Sequence, residues 1–518
     1  MIKRAGLAAL LAVVLITPNV GAHAERAAGF PSGEGHVPKY RTTGPYLVVC
    51  KPDTPQRIAK LPPKLRAYNE RLYSECRDRG FQHIQAAVDA VKQAGTRILI
   101  QPGIYREEPS LAKLSESCKA LKDRRPLTYE QQRACPHLEN LVAIFGDGPD
   151  RDIACDGPLC DLQIEGTGAK PLDVILDNNF KRLNGLRADR ADGVYLRNFT
   201  VQRSEFNAVY IIQTDGFVID RMIGRWNDEY GFLTYTSDHG LYTHCEAYVN
   251  GDGGLYPGSA AELHGSRTSI EVQYCRSHHN ALGFSGTAGN SVYVHDNWFY
   301  KNTTGIVVDS LATDHPGDPQ DSGRFVNNYI FNNNKDYYRY ARDGTCQKPP
   351  HRRGIEKGVV CPTFPSPVGV GMVIAGGNSN VLSRNYIFDN WRTGVMLFWV
   401  PAYLRGDEEP EKQFDTSHFN RFVNNWMGVT PEGRSIPNGM DFWWDEEGTG
   451  NCWLNNVAPR GVTSDPLILP SCDGPVLPGR WNAVKTASIA PCALYDRERE
   501  PDPPGCPWLR RPPRPDDP

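Results

Sequence analysis

The chain has 518 residues, with 57 Lys and Arg against 60 Asp and Glu, a formal charge of −3. That balance leaves no basic surplus for a nucleic-acid partner, and a mean hydropathy of −0.49 excludes a chain built to live in lipid. Forty-nine glycines and 41 prolines point to many turns, and 14 cysteines is a large and even number.

Lys3 and Arg4 precede an apolar run from Ala5 to Ile16, too short to cross a bilayer comfortably, and Ala22-His23-Ala24 has the form of a cleavage site. Residues 1–24 therefore read as a secretory signal peptide. The mature chain is expected to start near Glu25, in an extracellular or periplasmic compartment, with no membrane span. Loss of Lys3 and Arg4 takes the formal charge from −3 to −5. An oxidising compartment lets the cysteines pair. Cys118, Cys135, Cys155 and Cys160 share one loop-rich stretch, Cys346 and Cys361 another, and Cys452, Cys472, Cys492 and Cys506 the C-terminal region. Local pairing would staple long loops, although spacing leaves the connectivity open.

After an N-terminal extension at 25–79, Phe81, Ile84, Val88 and Val91 recur at a helical period. Arg97-Ile-Leu-Ile then reads as a strand, and Gln101-Pro-Gly as a turn. From residue 195 onward short strand-like blocks repeat. Tyr195-Leu-Arg-Asn-Phe-Thr-Val, Leu241-Tyr-Thr-His-Cys-Glu-Ala, Arg324-Phe-Val-Asn-Asn-Tyr-Ile and Arg421-Phe-Val-Asn-Asn-Trp-Met are four of them. Each is followed by a second apolar run, such as Gly231-Phe-Leu-Thr or Gly305-Ile-Val-Val. Gly216, Gly240, Gly265 and Gly289 mark a period of about 24 residues. That period is too short for propeller blades and lacks the leucine-rich template. Coils of an all-β, right-handed parallel β-helix fit it. Equivalent residues of successive coils then stack about 4.8 Å apart. One corner column reads Asn198, Met222, Cys245, Cys275, Asn297, Asn328, Asn385, Asn425, a structural ladder of amides with a pair of cysteines in it. The solenoid is expected over 80–455, with insertions near 109–170, 311–323 and 336–366, followed by a Cys- and Pro-rich tail at 456–518.

Ile84-Gln85-x-Ala87-Val88-Asp89-Ala90, followed by Pro102-Gly103-Ile104-Tyr105-Arg106-Glu107, resembles the N-terminal signature of the pectin-lyase-like β-helix proteins. The resemblance implies an N-terminal capping helix and the β-helix fold. It implies little about activity, because the fold carries lyases, hydrolases, epimerases, esterases and non-catalytic adhesins. The Asn-Thr-Asp, paired-Asp, Gly-His-Gly and Arg-Ile-Lys motifs of the polygalacturonases are absent from the coils, and so is the Asp-Pro-His-Glu motif of alginate epimerases.

Chemistry on such a fold should come from adjacent coils at one column. Asp215, His239 and His264 each precede a marker glycine, flanked by Asp238 and Glu262. An imidazole oriented by a carboxylate is a general base near neutral pH. Removing the C5 proton of a uronic acid needs that base and a cation beside the sugar carboxylate. Arg221, Arg225 and Arg267 lie in the same coils for that role, and Tyr235 and Tyr242 could donate a proton to the leaving oxygen. A calcium site made by Asp215, Asp238 and Glu262 is the alternative, since hard oxygen ligands suit it. Polar decoration of turns is a third reading. Weaker candidates are Asp309, Asp314, His315 and Asp321, the His278-His279 pair, and the aromatic and acidic cluster of Trp391, Trp399, Trp443, Trp444, Asp441, Asp445, Glu446 and Glu447. The expected function is a lyase or epimerase on an acidic polysaccharide, acting as a monomer. A non-catalytic β-helix that binds carbohydrate or a cell surface is the other possibility.

Overall fold

The computed structural model describes residues 29–122, 124, 127–146, 155–311 and 315–515. The expected signal peptide and Asp314 lie outside the described residues. Three parallel sheets of 12, 11 and 10 strands wind around one interior. Each coil visits the twelve-stranded, the ten-stranded and then the eleven-stranded sheet. Asp215–Asp220, Ile223–Arg225 and Phe232–Tyr235 make one such coil, and Asp238–Thr243 begins the next. The fold is a right-handed parallel β-helix, as the period implies. Among the described residues no helix is long and apolar enough to cross a membrane.

Alternation along each strand sends Phe217, Ile219 and their equivalents inward, where they are fully buried in one continuous core. The shortest coils span 22 or 23 residues, slightly less than the marker-glycine period. The twelve-stranded sheet starts at Tyr46–Val49, inside the stretch read as an extension. Helix Pro63–Arg79 leans on that first strand and is tied to it by the Cys50–Cys76 disulfide. Helix Ile84–Asp89 closes the open end of the core with Ile84, Ala87 and Val88. Its first N–H groups have no partner within the helix. Glu107 supplies one, accepting from Ile84 N at 2.8 Å and Gln85 N at 3.0 Å. This explains the pairing of helix and Tyr-x-Glu turn in the signature.

From Val194–Arg197 onward, the corner after each twelve-stranded-sheet strand is one residue in the left-handed region, for example Arg221 at φ 51° and Asn327 at φ 55°. The next side chain turns in beneath it. Asn297, Asn328, Asn385, Asn425 and Asn456 stack here; Asn297 Oδ1 accepts from Cys275 N, and each later Oδ1 accepts from the backbone N–H and the amide of the preceding coil. Met222, Cys245 and Cys275 continue the column, and the two cysteines are joined. Asn198 is one position out. Asp220 pairs with Arg197, so Asn198 faces Arg221 and Phe199 holds the ladder site. A second ladder, Asn227, Asn250, Asn280, Asn302, Asn333, Asn390 and Asn438, runs along the corner before the eleven-stranded sheet.

The other six disulfides close loops of 5 to 26 residues. Among the described residues no cysteine is free, which is consistent with an extracellular or periplasmic protein. The tail does not trail into solvent. Helix Ala483–Ile489 and the Cys492–Cys506 loop fold back onto the 336–366 insertion, with Tyr495 Oη 2.7 Å from Pro362 O. Together they roof the outer face of the eleven-stranded sheet. Under that roof Asp309 accepts from Leu311 N and Thr287 Oγ1, and burial pushes its carboxyl up to about 6.

Two tests follow from this packing. Asn328→Ala strips acceptors from two buried groups of Asn297 and should lower stability by about 3 kcal/mol or more, read from the denaturant midpoint. Folded Asp309 binds its proton more tightly than the unfolded chain does. That contribution is complete below about pH 4 and is lost as pH rises through about 6. Asp309→Asn should therefore melt higher than the parent near pH 8, by about 1–3 kcal/mol, with the difference closing below about pH 4.

Candidate functional site

Strand register corrects the expected catalytic column. Asp215 pairs with Asp238, and Phe217 with Gly240. The step between these coils is 23 residues, so His239 stands level with Gly216 rather than with Asp215. Asp192, Asp215 and Asp238 share the column instead, with Asp215 N donating to Asp192 Oδ1 at 2.7 Å. The next step is 30 residues. Its extra residues carry Glu262 and His264 onto a loop away from the column. His264 is 78% exposed and meets Asp321 Oδ2 at 2.9 Å, which raises its pKa. Glu262 is exposed and packs beside Gly317.

Four of the ten expected residues converge. His239 Nδ1 lies 2.6 Å from Asp215 Oδ1, and His239 N donates to Asp238 Oδ1 at 2.7 Å. Arg267 holds both oxygens of Asp238, at 2.8 and 2.5 Å. Both carboxylates are buried, while the imidazole keeps 17% of its surface in solvent. A carboxylate oxygen accepts, so Nδ1–H faces Asp215 and the lone pair of the neutral imidazole is on Nε2. The backbone at His239 is also unusual for its column. Gly193 and Gly216 occupy this level in the two preceding coils at φ 78° and 91°, and His239 takes the same left-handed region at φ 46°. A side chain there is disfavoured unless something else holds it. The hydrogen bonds to Asp215 and Asp238 hold this one.

The other expected residues lie elsewhere. Tyr242 points into the core, fully buried, with Oη on Thr234 Oγ1 at 3.0 Å, so it cannot reach a ligand. Tyr235 faces outward on the eleven-stranded sheet under the ring of His315, centroids 5.4 Å apart. Arg221 pairs with Asp220. Arg225 sits on the ten-stranded sheet, bound to Gln202 and Tyr248. The calcium site is not assembled, because Glu262 is absent from it. Asp215, Asp238 and His239 do bring ligand atoms within 4.8 Å of one another. Arg267 already neutralises Asp238, so these residues do not fit a hard cation. His278 is stacked between Tyr248 and Tyr300. Asp445 accepts from Trp399 N and Glu447 N and is pushed up to about 7 by burial, and Glu446 binds Arg480. Asp445 thus ties the last coils to one another, and Glu446 ties them to the tail.

Sequence reasoning missed Asp192 and the segment that lies over the site. Gly35 N donates to Asp215 Oδ2 at 2.9 Å across 180 residues of sequence. The only local hint is Ser32-Gly33-Glu34-Gly35, whose small residues allow close approach.

A family model described as a right handed beta helix region matches residues 184–345. No curated protein sequence matches the chain. Among solved structures, the mannuronan C-5 epimerase AlgE4 A-module of Azotobacter vinelandii aligns at 12% identity and TM-score 0.40, over 74% of this chain and 91% of that one. Pectate lyase Pel9A aligns at 13% identity and TM-score 0.37, over 84% and 81%. The DFA-IIIase of Arthrobacter chlorophenolicus A6 aligns at 10% identity and TM-score 0.40, over 74% and 84%.

Proposed function

We propose that the chain is a carbohydrate-active protein that removes a proton from a sugar ring carbon beside a carboxylate, as a lyase or epimerase on an acidic polysaccharide. One observation carries this reading: an imidazole, placed where the two preceding coils use glycine, has its Nδ1 held by Asp215 and keeps 17% of its surface in solvent. Nε2 is the base. The guanidinium of Arg267, about a third exposed, is the nearest cation for the sugar carboxylate. Stacked coils form a long continuous sheet face, which suits a linear polymer running along the axis. A non-catalytic, carbohydrate-binding role is favoured by one feature, the cover over Asp215.

A panel of polyuronates separates the two. Lyase action appears as ultraviolet absorbance of an unsaturated product, and epimerisation as solvent deuterium entering C5. His239→Ala should lower either rate by about 10²-fold or more, with an unchanged circular dichroism spectrum. An unaltered rate in His239→Ala, or no signal from any polyuronate in both assays, sinks the catalytic reading.

A further inference from the structure

The cover over the site is a continuous strap. Residues 29–45 run along the helix axis on the outside of the twelve-stranded sheet. Gln213 Nε2 donates to Gly29 O at 3.0 Å, and Gly35 N to Asp215 at 2.9 Å. Farther along, Tyr40 Oη donates to Glu165 at 2.8 Å, and the Arg197 guanidinium lies 4.4 Å from the Tyr40 ring centroid. The Gln163 amide grips the Arg41 backbone twice, donating to its carbonyl and accepting from its N–H, both at 2.9 Å. The strap thus passes from the coil of Arg267 to that of Arg97, which donates to Thr42 O.

Its attachment is light. Before Pro45, no residue of the strap exchanges a backbone–backbone hydrogen bond with the coils among the described residues. Most of its residues from Ser32 onward are exposed. A buried strand of the solenoid has the opposite character, since every rung is laddered on both sides. A segment held by side-chain ties alone, without a backbone ladder, opens at less cost than the laddered core.

We propose that the groove filled by residues 29–42 is the polysaccharide-binding groove, and that the strap is its built-in occupant, which lifts to admit the polymer. An extended chain with its polar groups turned to Asp215, Gln163 and Glu165 is a backbone stand-in for an extended glycan with its hydroxyls turned the same way. Gln163, freed of Arg41, is then a substrate-binding residue several coils from His239. The closed strap reduces apparent affinity in proportion to the fraction of molecules that are closed. This rests on the proposed function of the His239 site.

Two variants of the full chain test it. One lacks residues 29–44. The other is Gly35→Val, because a Cβ at Gly35 would stand 2.4 Å from the Asp215 carboxylate and force the strap away. Carbethoxylation of His239, followed by mass spectrometry, reads access without any substrate, and the exposed His264 serves as the reference in the same molecule. Both variants should speed modification of His239 several-fold while His264 is unchanged, and should lower KM for the polyuronate with little change in kcat. Adding Gln163→Ala to the strapless chain should raise KM again. Unchanged His239 modification in both folded variants overturns the strap. Faster modification with an unchanged or raised KM overturns the groove. Faster modification with no turnover by any variant keeps the strap as a cover and overturns the catalytic reading instead.

Discussion

Parallel stacking of coils at strand spacing is the constraint from which the rest of the molecule follows. Each residue sits over its equivalent in the coil before, so whatever occupies a column must be compatible with itself at about 4.8 Å. Apolar columns satisfy this by dispersion and fill the core. Polar columns satisfy it only where side chains can both donate and accept, and buried amides do so without charge repulsion. That is why asparagine runs along two corners for most of the solenoid. Where the column holds asparagine, the backbone N–H just past the left-handed corner is met by the amide of the following coil, so ladder and tight corner support each other.

A column of carboxylates violates the same rule. Asp192, Asp215 and Asp238 would repel one another if ionised with nothing between them. Each is given a different partner. Asp192 accepts the backbone N–H of Asp215, Asp215 holds His239 and Gly35, and Asp238 is locked by Arg267. The site is the place where stacking is broken chemically, with a histidine in a glycine position as its sign. Elsewhere a buried acid is met by donors, as at Asp309, or tied to a neighbouring segment, as at Glu446.

Local spacing made the solenoid, the capping helix and most of the amide ladder legible. Register was read one residue out at two places. Asn198 looks like a ladder member because Asn-Phe-Thr has the spelling of later Asn-Tyr-Ile corners, yet pairing of Arg197 with Asp220 puts Phe199 there. His239 and Asp215 look equivalent because both precede glycine, yet strand pairing makes Asp238 the equivalent of Asp215. A one-residue slip in a strand exchanges inside for outside, and it is why Tyr242, taken for a proton donor, belongs to the core. His264 was lost for a different reason. Its coil is longer by an insertion, and a sequence period cannot say on which side of an insertion the coil resumes.

The sequence alone determines that this chain winds into a parallel β-helix, because the information lies within one coil and is repeated. It also places Asp215, Asp238, His239 and Arg267 among ten candidate residues on neighbouring coils. Only the tertiary structure decides which face each takes, which carboxylate holds the imidazole and which the guanidinium, and that residues 29–42 lie along them. Those outcomes depend on register between coils and on a contact spanning 180 residues. No local pattern encodes either, because hydrogen bonds between distant backbone segments depend on where the chain returns, and insertions of unequal length move that point.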